Sequence, residues 1–224
     1  MTPDAFAADE RGPRTERDPA TAPLVVEVWF DLICPWCLIG KRQLAQALAE
    51  FRRLHPERPV AVSWRSQVLL PDIPPQGLPF REFYLRRLGG AEAVAARQAQ
   101  VRAAASQVGL ALDFSRIALM PNTRAAHGLI ADARSQCDAD TVDALVEALF
   151  AAHFTQGMNL DDGEFLDALA QRHGITRSRA APAIPSRVSG VPLFVGAGIE
   201  ALSGAQPPPR LLAMLLGMAQ ARAC

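Results

Sequence analysis

The apolar run Leu24-Val25-Val26-Glu27-Val28-Trp29-Phe30 leads, four residues later, into Cys34-Pro35-Trp36-Cys37. Its β-branched and aromatic residues suit a mostly buried strand. Beyond Pro35 the period changes. Leu44, Ala47, Leu48 and Phe51 recur at the i, i+3, i+4, i+7 spacing of one helical face, and Cys37 falls on that face seven residues before Leu44. The helix ends at His55-Pro56-Glu57-Arg58-Pro59, because a proline disfavours helical geometry in the residue before it. Val60, Val62 and Trp64 then alternate with Ala61, Ser63 and Arg65 as a second strand. Strand, helix, strand predicts a parallel βαβ unit with the thiols at its first strand-to-helix turn.

That register separates the two thiols. Cys34 precedes the first helical turn, whose N–H groups have no intrahelical partner, while Cys37 points inward. An accessible nucleophile and a covered resolving partner are therefore expected. The single charge of the first strand, Glu27, is expected at a sheet edge or end, and Trp29 and Trp64 in the core.

The prolines of residues 71–79 mark a boundary, and from about Phe80 to His173 nearly every segment reads as helix. Residues 91–108 stop at Gly109 and residues 122–134 form a shorter helix. Val142, Leu145, Val146, Leu149 and Phe150 make an amphipathic stripe. Asp161 and Glu164 resemble a capping box opening a further helix that Gly174 closes. After a polar, proline-punctuated return, Val191-Pro192-Leu193-Phe194-Val195 reads as a strand, with Gly196-Ala197-Gly198 as a tight hairpin to a partner at 199–203. Leu211, Leu212, Leu215, Leu216 and Ala219 form a last amphipathic helix after Pro207-Pro208-Pro209. The expected organisation is a tail over residues 1–23, an α/β part over 24–70, a helical insertion over 71–174 and the rest of the α/β part over 175–224.

Composition removes several classes of function. Half of the 224 residues are apolar, ample for a core, and 23 basic residues offset 23 acidic ones without a dense Lys/Arg block. No nucleic-acid partner and no polybasic membrane contact are expected. No apolar run approaches the roughly 18–20 residues needed to span a bilayer. The start, Met1-Thr2-Pro3-Asp4-Ala5-Phe6, lacks the pattern of a secretory signal, so a cytoplasmic location is expected. Four cysteines in a chain this long do not make a disulfide scaffold. Cys137 and Cys224 are solitary and expected to be exposed spectators, and His55, His127, His153 and His173 are scattered. A structural zinc site therefore lacks its second ligand pair, and no metal or cofactor is expected.

Four motifs in order sharpen the reading: Asp31-Leu32-Ile33-Cys34-Pro35-Trp36-Cys37-Leu38-Ile39-Gly40-Lys41, Pro121-Asn122-Thr123-Arg124-Ala125-Ala126-His127, Gly190-Val191-Pro192-Leu193-Phe194-Val195 and Ser203-Gly204-Ala205-Gln206. From about Leu24 to the last helix the chain resembles the FrnE-like branch of the DsbA family of thioredoxin-fold oxidoreductases. The resemblance implies an α/β thioredoxin fold with an inserted all-helical lobe covering the active site. It also implies a redox-active Cys34/Cys37 pair, a cis Val191–Pro192 bond lying against the dithiol, and a thiol or disulfide substrate, with glutathione possible as co-substrate. The stretch from Gly174 to Gly190 is shorter than the family usually shows.

For this chemistry the helix N-terminus favours a thiolate at Cys34, and Pro35 suits the first turn because it lacks an N–H. Trp36 offers bulk beside the sulfur. Cys34 would form a mixed disulfide and Cys37 would resolve it. Asp31 reads first as a turn or cap residue. It could also oppose the Cys34 thiolate or take part in proton transfer when Cys37 attacks. Asn122 or Thr123 reads as a helix cap, and Asn122 and His127 are alternative substrate-binding candidates over the site mouth, with Trp36, Val191 and Pro192. The rival activity is that of the glutathione-dependent 2-hydroxychromene-2-carboxylate isomerases and kappa-class transferases. As families these carry a serine where Cys34 stands.

Overall fold

The computed structural model describes residues 23–178, 184 and 188–221. Residues 1–22 of the expected tail over 1–23, Cys224 and most of the short return before Gly190 lie outside these residues.

Strand β1 (Leu24–Phe30) alternates as its sequence dictates, with Leu24, Val26, Val28 and Phe30 buried. Each such side chain contributes about 1.5–3 kcal/mol on leaving water. Helix α1 (Pro35–Leu54) buries Cys37, Leu44, Ala47, Leu48 and Phe51 on one face. Strand β2 (Val60–Ser66) lies parallel to β1 with Val28 opposite Trp64. Strand β5 (Leu193–Gly196) flanks β1 on the other side, antiparallel, with Trp29 opposite Leu193. Strand β6 (Leu202–Ser203) closes a sheet of order β2-β1-β5-β6, and α7 (Pro208–Ala221) packs beside α1.

Between β2 and β5 the chain forms α2 (Phe80–Leu88), α3 (Ala91–Ser106), α4 (Arg124–Gln136), α5 (Ala139–Phe154) and α6 (Gly163–Arg172). Two anchors fasten this region to the sheet. Phe30 meets Trp64 edge-on at 5.1 Å and Phe150 of α5 at 5.8 Å. Lys41 of α1, nearly buried, donates to both oxygens of Asp143 on α5 at 2.7 Å and lies 5.3 Å from the Trp64 ring centre. Trp64 Nε1 donates to the same carboxylate at 3.1 Å. Among the described residues no helix is long and apolar enough to cross a membrane.

Several expectations change in detail. Glu27 is not at a sheet edge or end: β1 is interior, and Glu27 is accommodated by an ion pair with Arg65 of β2. Trp29 is half-buried on the outer face of β1, whereas Trp64 is in the core at 2% exposure. The cap of α6 is Asp162, not Asp161; its Oδ1 accepts from the Glu164 and Phe165 N–H groups. The β5–β6 connection runs through residues 197–201 and is longer than a tight hairpin, because pairing resumes only at Leu202 opposite Phe194. Cys137, at the end of α4, is half-buried against the core. A two-stranded pair, β3 (Leu78–Pro79) with β4 (Leu119–Met120), also appears inside the helical region. Two residues per strand leave no period to read.

Gly40 sets the approach of α1 to the sheet. A Cβ there would stand 3.1 Å from both the Phe194 ring and the Pro192 ring. Gly40→Val is expected to lose about 1–3 kcal/mol of stability through overpacking at this contact, read as a lower urea midpoint at unchanged slope.

Candidate active site

Cys34 is the N-cap of α1, in extended conformation at φ −91°, ψ 109°, with Pro35 opening the first turn. Its carbonyl accepts from the Cys37 N–H at 3.0 Å, and its own N–H donates to the Asp31 carbonyl at 3.1 Å. The Cys34 side chain thus lies along the axis of the helix N-terminus, where partial positive charge accumulates. Its Sγ is 3.9 Å from the carbonyl oxygen of Val191. The Val191–Pro192 bond is cis, Pro192 is buried, and its carbonyl accepts from the Gly204 N–H at 2.8 Å. Three of the four sequence motifs meet here.

The expected contrast in exposure between the thiols is small. Cys34 is 8% exposed and Cys37 2%. The difference lies in what each one faces. Cys34 opens onto a cavity of about 330 Å³ whose lining includes Trp36, Phe83 and Tyr84 and does not include Cys37. Burial pushes the Cys37 thiol well above the usual thiol range, and hydrogen bonding with Cys34, the charge of Cys34 and the charge of Asp31 push the same way. The backbone of Asp31 opposes them only in part. Cys37 is held protonated, which distinguishes the pair more sharply than accessibility does.

Asp31 does open a turn, over Leu32 and Ile33, its carbonyl accepting from the Cys34 N–H, but it is not the cap of α1: that position is Cys34, with no side-chain hydrogen bond. The Asp31 carboxylate is fully buried. Oδ2 accepts from the Leu69 N–H at 2.6 Å, and Oδ1 is 3.2 Å from His127 Nε2. His127 is also fully buried, edge-on to Phe30 at 5.3 Å. It does not line the cavity, and neither do Val191 and Pro192. Asn122 is likewise interior at 8% exposure and outside the cavity lining. Its Nδ2 donates to the Ile73 carbonyl at 2.5 Å, and its Oδ1 accepts from the Arg124 N–H at 3.0 Å. Thr123 occupies the N-cap position of α4 without a side-chain cap bond. The residues read as candidate ligands are therefore staples. Asp31 fixes the chain leaving β2, whose Leu69 and Leu70 wall the cavity, and Asn122 fixes the loop around Ile73.

Sequence reasoning missed the far wall. Phe80, Phe83 and Tyr84 line the cavity from α2. Their i, i+3, i+4 spacing is a legible stripe, but nothing local says that it faces a thiol. Tyr84 is held above its ordinary phenol range by burial first and then by the charge of Cys34.

With this geometry in hand, comparison with known proteins becomes informative. A model of the DsbA-like thioredoxin domain matches residues 25–215. The chain belongs to the DsbA-like thioredoxin family. The architecture is accordingly a thioredoxin fold carrying a helical insertion. Among solved structures, a probable DsbA oxidoreductase from Streptomyces coelicolor is similar at 27% identity and TM-score 0.74, covering 88% of this chain and 90% of that one. The cytosolic disulfide reductase DsbM from Pseudomonas aeruginosa, in a structure with GSH, shares the fold at 15% identity and TM-score 0.59, covering 88% and 100%. A 2-hydroxychromene-2-carboxylate isomerase shares it at 17% identity and TM-score 0.53, covering 88% and 95%. No curated protein matches the chain.

Close to Asp31 lies one more buried imidazole. His153 of α5 is fully buried, and burial lowers its pKa to about 4 from 6.5, against the opposing pull of the Asp31 charge and the Met158 backbone. The depressed value means that the folded protein resists a proton that the unfolded chain accepts. His153 carries no penalty above about pH 6.5, and stability falls as the pH drops from there through about 4. At pH 5 the loss from this one group is about 2 kcal/mol relative to pH 7. His153→Gln is expected to flatten that part of the profile in urea denaturation at the two pH values. An unchanged difference between pH 7 and pH 5 would contradict it.

Proposed function

We propose that this protein is a thiol–disulfide oxidoreductase of the FrnE-like branch, in which Cys34 is the nucleophile and Cys37 the resolving thiol. One observation carries the reading: Cys34 sits at a helix N-terminus, opens onto a cavity and faces the Val191 carbonyl, while Cys37, in the first turn of the same helix, is kept protonated. The Cys34 thiolate attacks one sulfur of a substrate disulfide and expels the other half as a thiolate. Cys37 then gives up its proton, attacks Cys34 Sγ and releases the second substrate thiol. Two electrons pass to the substrate, and the protein is left with a Cys34–Cys37 disulfide. Two molecules of a thiol such as glutathione restore the dithiol by the reverse exchange, the first forming a mixed disulfide with the protein and the second releasing it as the thiol's own disulfide.

The backbone around Val191 and Pro192 and the ring of Trp36 are assigned to substrate contact; Asn122 and His127 support the walls instead. In the cytoplasm, where we place the protein, the glutathione pool favours net reduction or isomerisation over oxidation. The isomerase reading shares the fold but not the nucleophile, since Cys34 stands where those families carry serine.

At pH 7, Cys34, which opens onto the cavity, is expected to alkylate at least about tenfold faster than Cys37, which is buried away from it and held protonated. Peptide mapping after brief iodoacetamide exposure measures it, and equal rates would refute the nucleophile assignment. Cys37→Ser is expected to accumulate mixed disulfides with substrate, and Cys34→Ser to form none at this site. Comparable adducts in both variants, seen on non-reducing gels, would reverse the two roles.

A further inference from the structure

We propose that the cavity over Cys34 selects small disulfides that carry an aromatic or branched hydrocarbon body and a carboxylate, with Arg87 and Arg97 reading the anionic group. This deepens the oxidoreductase reading and rests on it. The cavity has the volume of a small-molecule site, about 330 Å³, and its walls are rings and aliphatic chains, among them Trp36, Phe80, Phe83, Phe114 and Met120. No aspartate or glutamate lines it, and its two charged residues have the same sign.

Those two arginines come from α2 and α3, on either side of the Gly89–Gly90 turn, and both are exposed at the cavity. Among the described residues neither pairs with a carboxylate. Arg87 lies over the Phe83 ring at 5.8 Å, and Arg97 Nη1 donates to Gln100 Oε1 at 3.1 Å. A guanidinium held on an aromatic face keeps most of its donors for a second partner, and its planar fork matches a carboxylate. Tyr84, whose hydroxyl makes no hydrogen bond among the described residues, lines the same cavity and adds a donor to it. An apolar body in the cavity and an anion at its rim would leave a disulfide bond of the ligand within reach of Cys34 Sγ.

The test uses the full-length reduced protein in a Cys137→Ser, Cys224→Ser background, so that only the dithiol reacts. Two aromatic disulfides serve as probes: 5,5′-dithiobis(2-nitrobenzoate), which is anionic, and 4,4′-dithiodipyridine, which is neutral at pH 7. In each reaction Cys34 displaces one aryl thiolate. Cys37, losing a proton to solvent, then displaces the second and closes the Cys34–Cys37 disulfide. Each second-order rate is divided by that of a free small thiol with the same probe. The normalised preference for the anionic over the neutral probe is expected to fall about tenfold in the Arg87→Gln, Arg97→Gln double variant, the scale of one charge-assisted contact. The Arg172→Gln, Arg210→Gln control, with the same change of net charge away from the cavity, is expected to keep the wild-type preference.

An equal fall in the control would reduce the effect to overall charge and overturn the inference. So would an unchanged preference in the Arg87/Arg97 variant, or a normalised rate with insulin disulfides above that with the anionic probe, which would favour a polypeptide substrate. In each of these cases the dithiol still reacts and the oxidoreductase reading stands. Failure of both probes to react at Cys34 faster than with a free thiol would instead remove that reading, and this inference with it.

Discussion

The site depends on β1 being paired along both edges. Its parallel partner β2 requires a crossover, and α1 is that crossover, so the N-terminus of α1 must emerge at the C-terminal end of β1. Its antiparallel partner β5 begins where β1 ends, with Leu193 opposite Trp29. Together these pairings bring the residues just before Leu193 to the residues just after Phe30. Val191 and Pro192 meet Cys34 because backbone hydrogen bonding leaves them nowhere else to go. Gly40 then decides how closely, since any side chain on that turn of α1 would press on the rings of Pro192 and Phe194.

The division of labour between the cysteines arises from the interior rather than from the surface. Both sulfurs are nearly covered, so accessibility alone separates them poorly. Asp31 adds a fully buried carboxylate, stabilised by the Leu69 N–H and the His127 ring. Cys37, the more deeply buried thiol, is pushed up first by its own desolvation, then by the neighbouring Cys34, and last by the Asp31 charge. Cys34 stands at the helix N-terminus and opens to the cavity. The carboxylate that holds the cavity wall adds only the last of the pushes that keep the inner thiol protonated, after its burial and the neighbouring Cys34.

The strands and helices of the α/β part were legible because each carries a long, clean period: alternation through Val26, Val28 and Phe30, and the stripe through Leu44, Ala47, Leu48 and Phe51. The thiols were legible as a pair because their spacing places them on one helical turn. Misreadings cluster where a residue's role depends on distant chain. Asp31, Asn122 and His127 are polar residues beside motifs, and local logic offers them caps or ligand contacts. Asn122 does make the local bond, accepting from the Arg124 N–H at the start of α4, but its other partner, Ile73, and those of Asp31 and His127, Leu69 and one another, lie 38 to 96 residues away. Glu27 is the same case: only the position of Arg65 on the neighbouring strand tells that a charge can sit in an interior strand.

Chemistry and recognition come from different stretches of chain. The sulfurs, the helix N-terminus and the cis-proline loop belong to the α/β part, where strand pairing fixes them within narrow limits. Apart from Trp36 and its neighbours, the cavity walls come from the exit of β2 and from the insertion, whose α2 and α3 touch the rest through side chains rather than through a shared sheet. Side chains on α2 and α3 that face the cavity can therefore change without disturbing the hydrogen bonds that place Cys34 beside Val191. Selectivity for a substrate is adjustable in this architecture while the dithiol geometry is not, because backbone pairing constrains the second and only packing constrains the first.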